Sequence, residues 1–164
     1  MCVIDSRNAG DCTVRSLIAG PPSGMSAHLG TYGQSEEDMR DCLLVRVRDC
    51  AEPWAGCYAL VYAAAARRLE LVRYDPAERD STQRYDGPPP GAKLLAQAEV
   101  PGSPVGRFMW FMARGSALSG GIGQAQLVSA TDATYPRGYV GFGARPDAFA
   151  AFSRVEMRGG PGTP

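Results

Sequence analysis

Val105-Gly106-Arg107-Phe108-Met109-Trp110-Phe111-Met112-Ala113-Arg114-Gly115-Ser116 is followed, as far as Phe142, by Gln126-Leu127-Val128-Ser129-Ala130-Thr131-Asp132-Ala133-Thr134-Tyr135-Pro136-Arg137-Gly138-Tyr139-Val140-Gly141-Phe142. The first run is a β-rich segment ending in a tight glycine turn, and the second carries two more short apolar runs broken by an Asp-led turn. Neither has the 3.6-residue spacing of a helix, so the stretch predicts a sheet meander. Its strands are expected at 106–113, 117–122, 124–130 and 139–143. Trp110 is the expected core anchor, worth at most about 4–6 kcal/mol by buried area.

Working outward, the same punctuation continues. Twenty glycines and thirteen prolines are scattered between short apolar runs over 164 residues, which is how strands are separated in an all-β chain. Leu43, Val45 and Val47 alternate with Leu44, Arg46 and Arg48, the period of a half-buried strand. Residues 57–62 and 69–74 read as two further strands. The alanines between them are too few to nucleate a helix, so the join is expected to be a hairpin turn. Residues 75–92 are a long polar loop in which nothing is expected to pack, residues 94–100 a strand, and residues 149–157 the closing strand.

Upstream the pattern is weaker. Residues 12–18 suit a strand and residues 26–31 a shorter one, while Ser35 and the acids after it suit one helical turn or a solvated loop. The expected organisation is a single domain over 1–157, with 158–164 a Gly/Pro tail or linker of the kind left when a module is cut from something longer.

Seventeen basic and seventeen acidic side chains cancel, so no net field attracts nucleic acid. No apolar run reaches the roughly 20 residues of a membrane span, and the first twelve residues lack the pattern of an export signal. The compartment stays open. The cysteines lack zinc-type spacing, and Cys50 and Cys57 flank a turn that can bring them into a disulfide or leave both as free thiols. No cofactor or metal is expected.

Chemistry-bearing motifs are few. Glu36, Asp38 and Asp41 have the spacing of paired acids in a sugar hydrolase but lack the alternating apolar backing that would hold two carboxyls apart. His28 stands alone without a nucleophile elbow. The glycines at 115, 120, 121 and 123 precede no helix that could hold a phosphate. What remains is a candidate ligand face of Tyr58, Tyr62, Tyr74, Arg46, Arg48 and Arg73, in which rings would stack on sugar C–H groups and guanidinium forks would donate to hydroxyls. Its alternative is that the rings pack inside and the arginines cover the rim.

Leu69-x-Leu71 with Arg73, the Trp strand before Gly115, the run from Asp132 through Tyr135 and Gly138 to Gly141, and Phe152-x-x-Val155 together resemble the C-terminal half of a laminin-G-like, concanavalin A-like jelly-roll domain. The resemblance spans roughly residues 42–157. It implies an all-β, two-sheet antiparallel sandwich of about ten or more strands. The implied role is a non-catalytic binding or adhesion module, with carbohydrate or a protein surface as partner, the concave sheet as its site and a cell-surface or extracellular setting. Its alternatives are a sugar-active hydrolase or lyase of the same fold, and a structural or assembly module. In the closing strand Ser153-Arg154 stands where relatives often have Asp-Asn, which removes a carboxylate suited to calcium.

Overall fold

The structure is a computed structural model describing residues 2–18, 40–78, 89–144 and 152–159. Among the described residues eleven strands follow in order: β1 Cys2–Ala9, β2 Cys12–Ile18, β3 Arg40–Val47, β4 Cys57–Ala63, β5 Arg68–Tyr74, β6 Ala92–Glu99, β7 Phe108–Arg114, β8 Ala117–Ile122, β9 Ala125–Thr131, β10 Gly138–Gly143 and β11 Phe152–Gly159. They form two antiparallel sheets, one ordered β1-β10-β3-β4-β5-β6 and the other β11-β2-β7-β8-β9. The chain is an all-β jelly-roll sandwich, as its sequence pattern predicts. Among the described residues the only helical piece is a 3-10 turn at Pro53–Ala55, and none is long and apolar enough to cross a membrane.

Local signals explain the neighbouring pairs. β4 and β5 are joined at Ala64–Arg67, where the Arg67 amide donates to the Ala64 carbonyl at 3.1 Å. The alanines are thus a hairpin turn, too short to gain from helix propensity. β7, β8 and β9 form the predicted meander. After β9 the chain leaves that sheet, and β10 pairs with β1 and β3 in the other. This crossing, with β2 inserted between β11 and β7, makes the two layers one structure rather than two hairpin stacks.

Between the sheets lie Val14, Ile18, Leu43, Val45, Leu60, Leu69, Leu71, Met109, Phe111, Leu118, Val128 and Val140. Alternation puts Met109, Phe111 and Ala113 inside and leaves Phe108, Trp110 and Met112 half-buried on the opposite face of β7. Trp110 is therefore not the core anchor. Phe111 and Met109 take that place, each fully buried and each contributing roughly 1.5–3 kcal/mol.

The two sheets treat their outer faces differently. Every residue of β4 is buried, because Cys42, Leu44, Val47, Cys57, Ala59, Val61, Val72 and Tyr74 form a second apolar cluster on the side away from the inter-sheet core. Edge-on contact of Trp54 with Tyr74, ring centres 4.9 Å apart, helps close it. In the five-stranded sheet, β2 and β7 instead alternate between buried and at least partly open positions. Its outer face meets solvent.

Three expectations change in detail. Cys50 is an exposed free thiol and Cys57 a buried one, so the turn at 51–56 does not close a disulfide. β11 pairs with β2 as far as Gly159 opposite Cys12, which brings Arg158 and Gly159 out of the expected tail and into the sheet. The loop after β5 does pack at its start: the Asp75 carboxylate accepts from Arg73 and from the Tyr135 hydroxyl. The shorter strand at 26–31 and His28 lie outside the described residues, as does the expected turn or loop from Ser35 except its last two residues, Arg40 and Asp41, which begin β3.

Candidate functional site

The six residues of the sequence-derived ligand face do not share one open surface. Tyr58 and Tyr62 point into the inter-sheet core, and Tyr74 belongs to the opposite apolar cluster; all three are buried. The reason is that β4 is buried on both faces and the outer side of β5 is covered at Val72 and Tyr74, so either parity leads inward there. Arg48 is exposed and lies with its guanidinium 5.9 Å from the centre of the Tyr135 ring.

Arg46 breaks the alternation read from the sequence. Between β10 and β3 the register runs Tyr139 to Val47 and then Gly141 to Leu44, so β3 carries one extra residue. Arg46 occupies that bulge with φ of 55°, a left-handed backbone costly for a residue with a Cβ. The bulge turns its side chain into the end of the sandwich, where it is 1% exposed. There Nε donates to the Gly10 carbonyl at 3.0 Å, Nη1 to the Tyr135 carbonyl at 3.1 Å, and Nη2 to the Gly115 carbonyl. Three loops from different parts of the chain are thereby held by one planar fork.

Tyr58 and Arg73 sit opposite each other on β4 and β5 and meet at Asp132, in the turn after β9. Tyr58 donates to Asp132 Oδ1 at 2.6 Å and Arg73 Nη1 to Oδ2 at 2.8 Å, while the Thr134 amide donates to Oδ1 at 2.9 Å. The Asp-led turn was legible in the sequence; its bonds to Tyr58 and Arg73 were not. Tyr135 completes the cluster, donating its hydroxyl to Asp75 Oδ1 at 2.7 Å and its amide to the Tyr58 hydroxyl at 3.1 Å.

Burial alone would raise the pKa of the Asp132 carboxyl, but bonds from Tyr58, Thr134 and Arg73 outweigh it and hold the group below the usual carboxylate range. Asp75 is likewise lowered, since Arg73 and Tyr135 outweigh its partial burial. Burial and the bond to Asp132 push the Tyr58 hydroxyl up to about 12. Two ionised carboxylates around one arginine offer no general acid for glycoside cleavage, which needs one carboxyl kept protonated. The cluster clamps the two sheets together.

The open face of the five-stranded sheet has a different character. Register places Glu156, Arg15, Trp110, Gly121 and Gln126 in one row across β11, β2, β7, β8 and β9. The adjacent row is Arg158, Thr13, Met112, Ser119 and Ser129. Five strands spaced about 4.8 Å apart make each row roughly 19 Å long. Arg15 donates to Glu156 Oε2 through Nε at 2.9 Å and Nη2 at 2.6 Å, and its guanidinium lies 4.8 Å from the centre of the Phe108 ring. The Arg15 bond, with help from Arg158 and Arg154, lowers the Glu156 pKa.

Trp110 is fixed in this row. Its Nε1 donates to the Gly123 carbonyl at 3.1 Å, and the six-membered edge of the indole lies over Gly121, where a Cβ would come within 2.9 Å of the ring and 1.9 Å of the Ala125 carbonyl. Only glycine permits that seat. Beside the indole, Thr13, Arg15, Glu156 and Arg158 line a shallow groove of about 200 Å³. Sequence reasoning missed this site because it assigned Trp110 to the core. The one available signal was that Arg15 and Trp110 lie in short strands of uncertain parity, and parity is resolved only by non-local pairing.

No family model and no curated protein matches the sequence. Among solved structures, the chain is similar to the carbohydrate binding module CBM66 from Bacillus subtilis, with a TM-score of 0.66 and 16% identity over 95% of this chain and 80% of that one. A Bacillus subtilis protein of unknown function with a galectin-like fold aligns at a TM-score of 0.48 and 13% identity, over 86% and 69% of the two chains. The first likeness fixes the fold class, a two-sheet β-sandwich of jelly-roll type.

Proposed function

We propose that this chain is a non-catalytic carbohydrate-binding module whose sugar site is the open face of the five-stranded sheet, centred on Trp110. One observation carries the reading: an indole tethered by its N–H and seated on glycine is half-exposed in a row of hydrogen-bonding side chains. A flat ring held in one orientation gives the C–H face of a pyranose an apolar surface at little entropic cost, and the neighbouring Arg, Glu, Gln, Ser and Thr side chains supply donors and acceptors for its hydroxyls. The likeness in fold to a carbohydrate-binding module supports the same class of ligand. Kinship with laminin-G-like domains belongs to this proposal as well, supported by the Asp132 turn and the order of the last strands.

Covering about 80 Å² of the indole contributes roughly 2 kcal/mol, about thirtyfold in affinity. Titration calorimetry of wild type and Trp110→Ala against a panel of soluble polysaccharides checks this. The expected result is a loss of that order on every glycan bound, with an unchanged far-UV circular dichroism spectrum. Equal affinities for the two proteins would remove the site from this face.

A further inference from the structure

We infer that the groove beside Trp110 selects an acidic saccharide, one bearing a carboxylate on the sugar next to the ring stacked on the indole. This rests on the sugar-binding reading and adds its charge.

The cations on this side of the sheet outnumber the anions. Arg15 is ion-paired with Glu156, whereas Arg158, two residues along β11 and opposite Thr13, has no hydrogen bond or ion pair among the described residues. Arg158 is exposed and lines the same groove as Arg15, Glu156 and Thr13. Arg154, on the same strand, lies close enough for its charge to help lower the Glu156 pKa. One carboxylate among three guanidinium groups leaves a local excess of positive charge on a chain whose total charge is zero.

Geometry favours a planar anion. A guanidinium presents paired N–H groups matched to a carboxylate, and charge-assisted bonds of this kind are stronger than neutral ones. Arg15 already spends Nε and Nη2 on Glu156, which leaves the fork of Arg158 as the group to receive the ligand's carboxylate, with the Thr13 hydroxyl beside it to bond a neighbouring ring hydroxyl. The groove opens next to the indole because Arg15 and Trp110 are opposite one another in register, with Cβ atoms on directly facing strand positions about 5 Å apart. A sugar stacked on the indole, linked to a uronic acid ring seated over the groove, satisfies both.

The test uses the intact chain and three oligosaccharide sets: uronic acid oligomers, the same oligomers methyl-esterified, and sulfated glycans. Calorimetry is expected to give about tenfold tighter binding to the free uronates than to the esters at low salt, the gap narrowing as salt rises. Arg158→Gln is expected to abolish that gap by weakening uronate binding far more than ester binding, and Arg158→Lys to restore part of it. Equal affinity for acid and ester, preference for sulfated over carboxylated chains, or an Arg158→Gln variant that keeps the gap overturns the inference. Binding to neutral or esterified glycans that Trp110→Ala removes, without acid preference, sinks this inference alone. Failure of every glycan to bind sinks the sugar reading with it.

Discussion

Replacing Arg46 by Met keeps most of its volume and removes every donor. The carbonyls of Gly10, Tyr135 and Gly115, the last in an exposed turn, then lose their partner. Each unsatisfied carbonyl costs about 1–3 kcal/mol, but Met avoids the penalty of burying a cation, so the two effects partly cancel. With the whole fork lost, a net loss of about 3–5 kcal/mol is expected. At roughly 2–4 °C per kcal/mol for a domain of this size, Tm falls by about 6–20 °C. Arg46→Lys, which cannot reach three carbonyls from one ammonium, is expected to lose about 2 kcal/mol. Two small variants separate backbone from side chain: both drop the fork, but only Arg46→Gly relieves the φ of 55°, so it should be about 1 kcal/mol more stable than Arg46→Ala. Urea unfolding followed by circular dichroism measures all four. A Met variant within about 0.5 kcal/mol of wild type would refute the idea that this side chain holds the end of the sandwich together.

Two further expectations concern the same end. A Cβ on Gly138 would sit 2.4 Å from the Arg46 carbonyl carbon and 2.6 Å from the Val47 oxygen, backbone atoms that cannot rotate away; Gly138→Ala is expected to cost about 3 kcal/mol by urea unfolding, and a near-neutral result would show that the bulge shifts freely. Asp132→Asn should lose about 1–3 kcal/mol at pH 7 through weakened bonds to Tyr58 and Arg73. Because the folded carboxyl titrates below its unfolded value near 3.9, its contribution is present above about pH 4 and fades as pH falls through the folded value. The gap between wild type and variant should therefore narrow from pH 4 to pH 2, and a gap constant over that range contradicts the assignment.

Much of the architecture was readable because the β4–β5 hairpin and the β7–β8–β9 meander are local: alternation sets the strands and glycine or short turns set their joins. Three things were not readable. β1 is a full strand in a stretch with little patterning, and it forms by pairing with β10, far away in sequence. The face of Trp110 depends on which side of β7 meets β4 and β5, a tertiary choice that the alternation of Phe108 to Ala113 leaves two-fold ambiguous. Tyr58, Tyr62 and Tyr74 looked like binding rings because one buried face was assumed for their strands, whereas both faces are covered at β4 and around Tyr74, and the tyrosine hydroxyls that reach the sandwich end find partners there. The site was hidden for the same reason: Glu156, Arg15 and Trp110 become neighbours only when β11, β2 and β7 lie side by side.

The unequal covering of the two layers separates durability from discrimination. Arg46, Asp132 and the strands β3 and β4, buried on both faces, keep the chain folded, while Thr13, Met112 and Ser119 are half-buried and Gln126 and Ser129 exposed on the outward face. Those positions can be exchanged with small thermodynamic penalty, so a library varied only there should stay folded while its preferred glycan drifts.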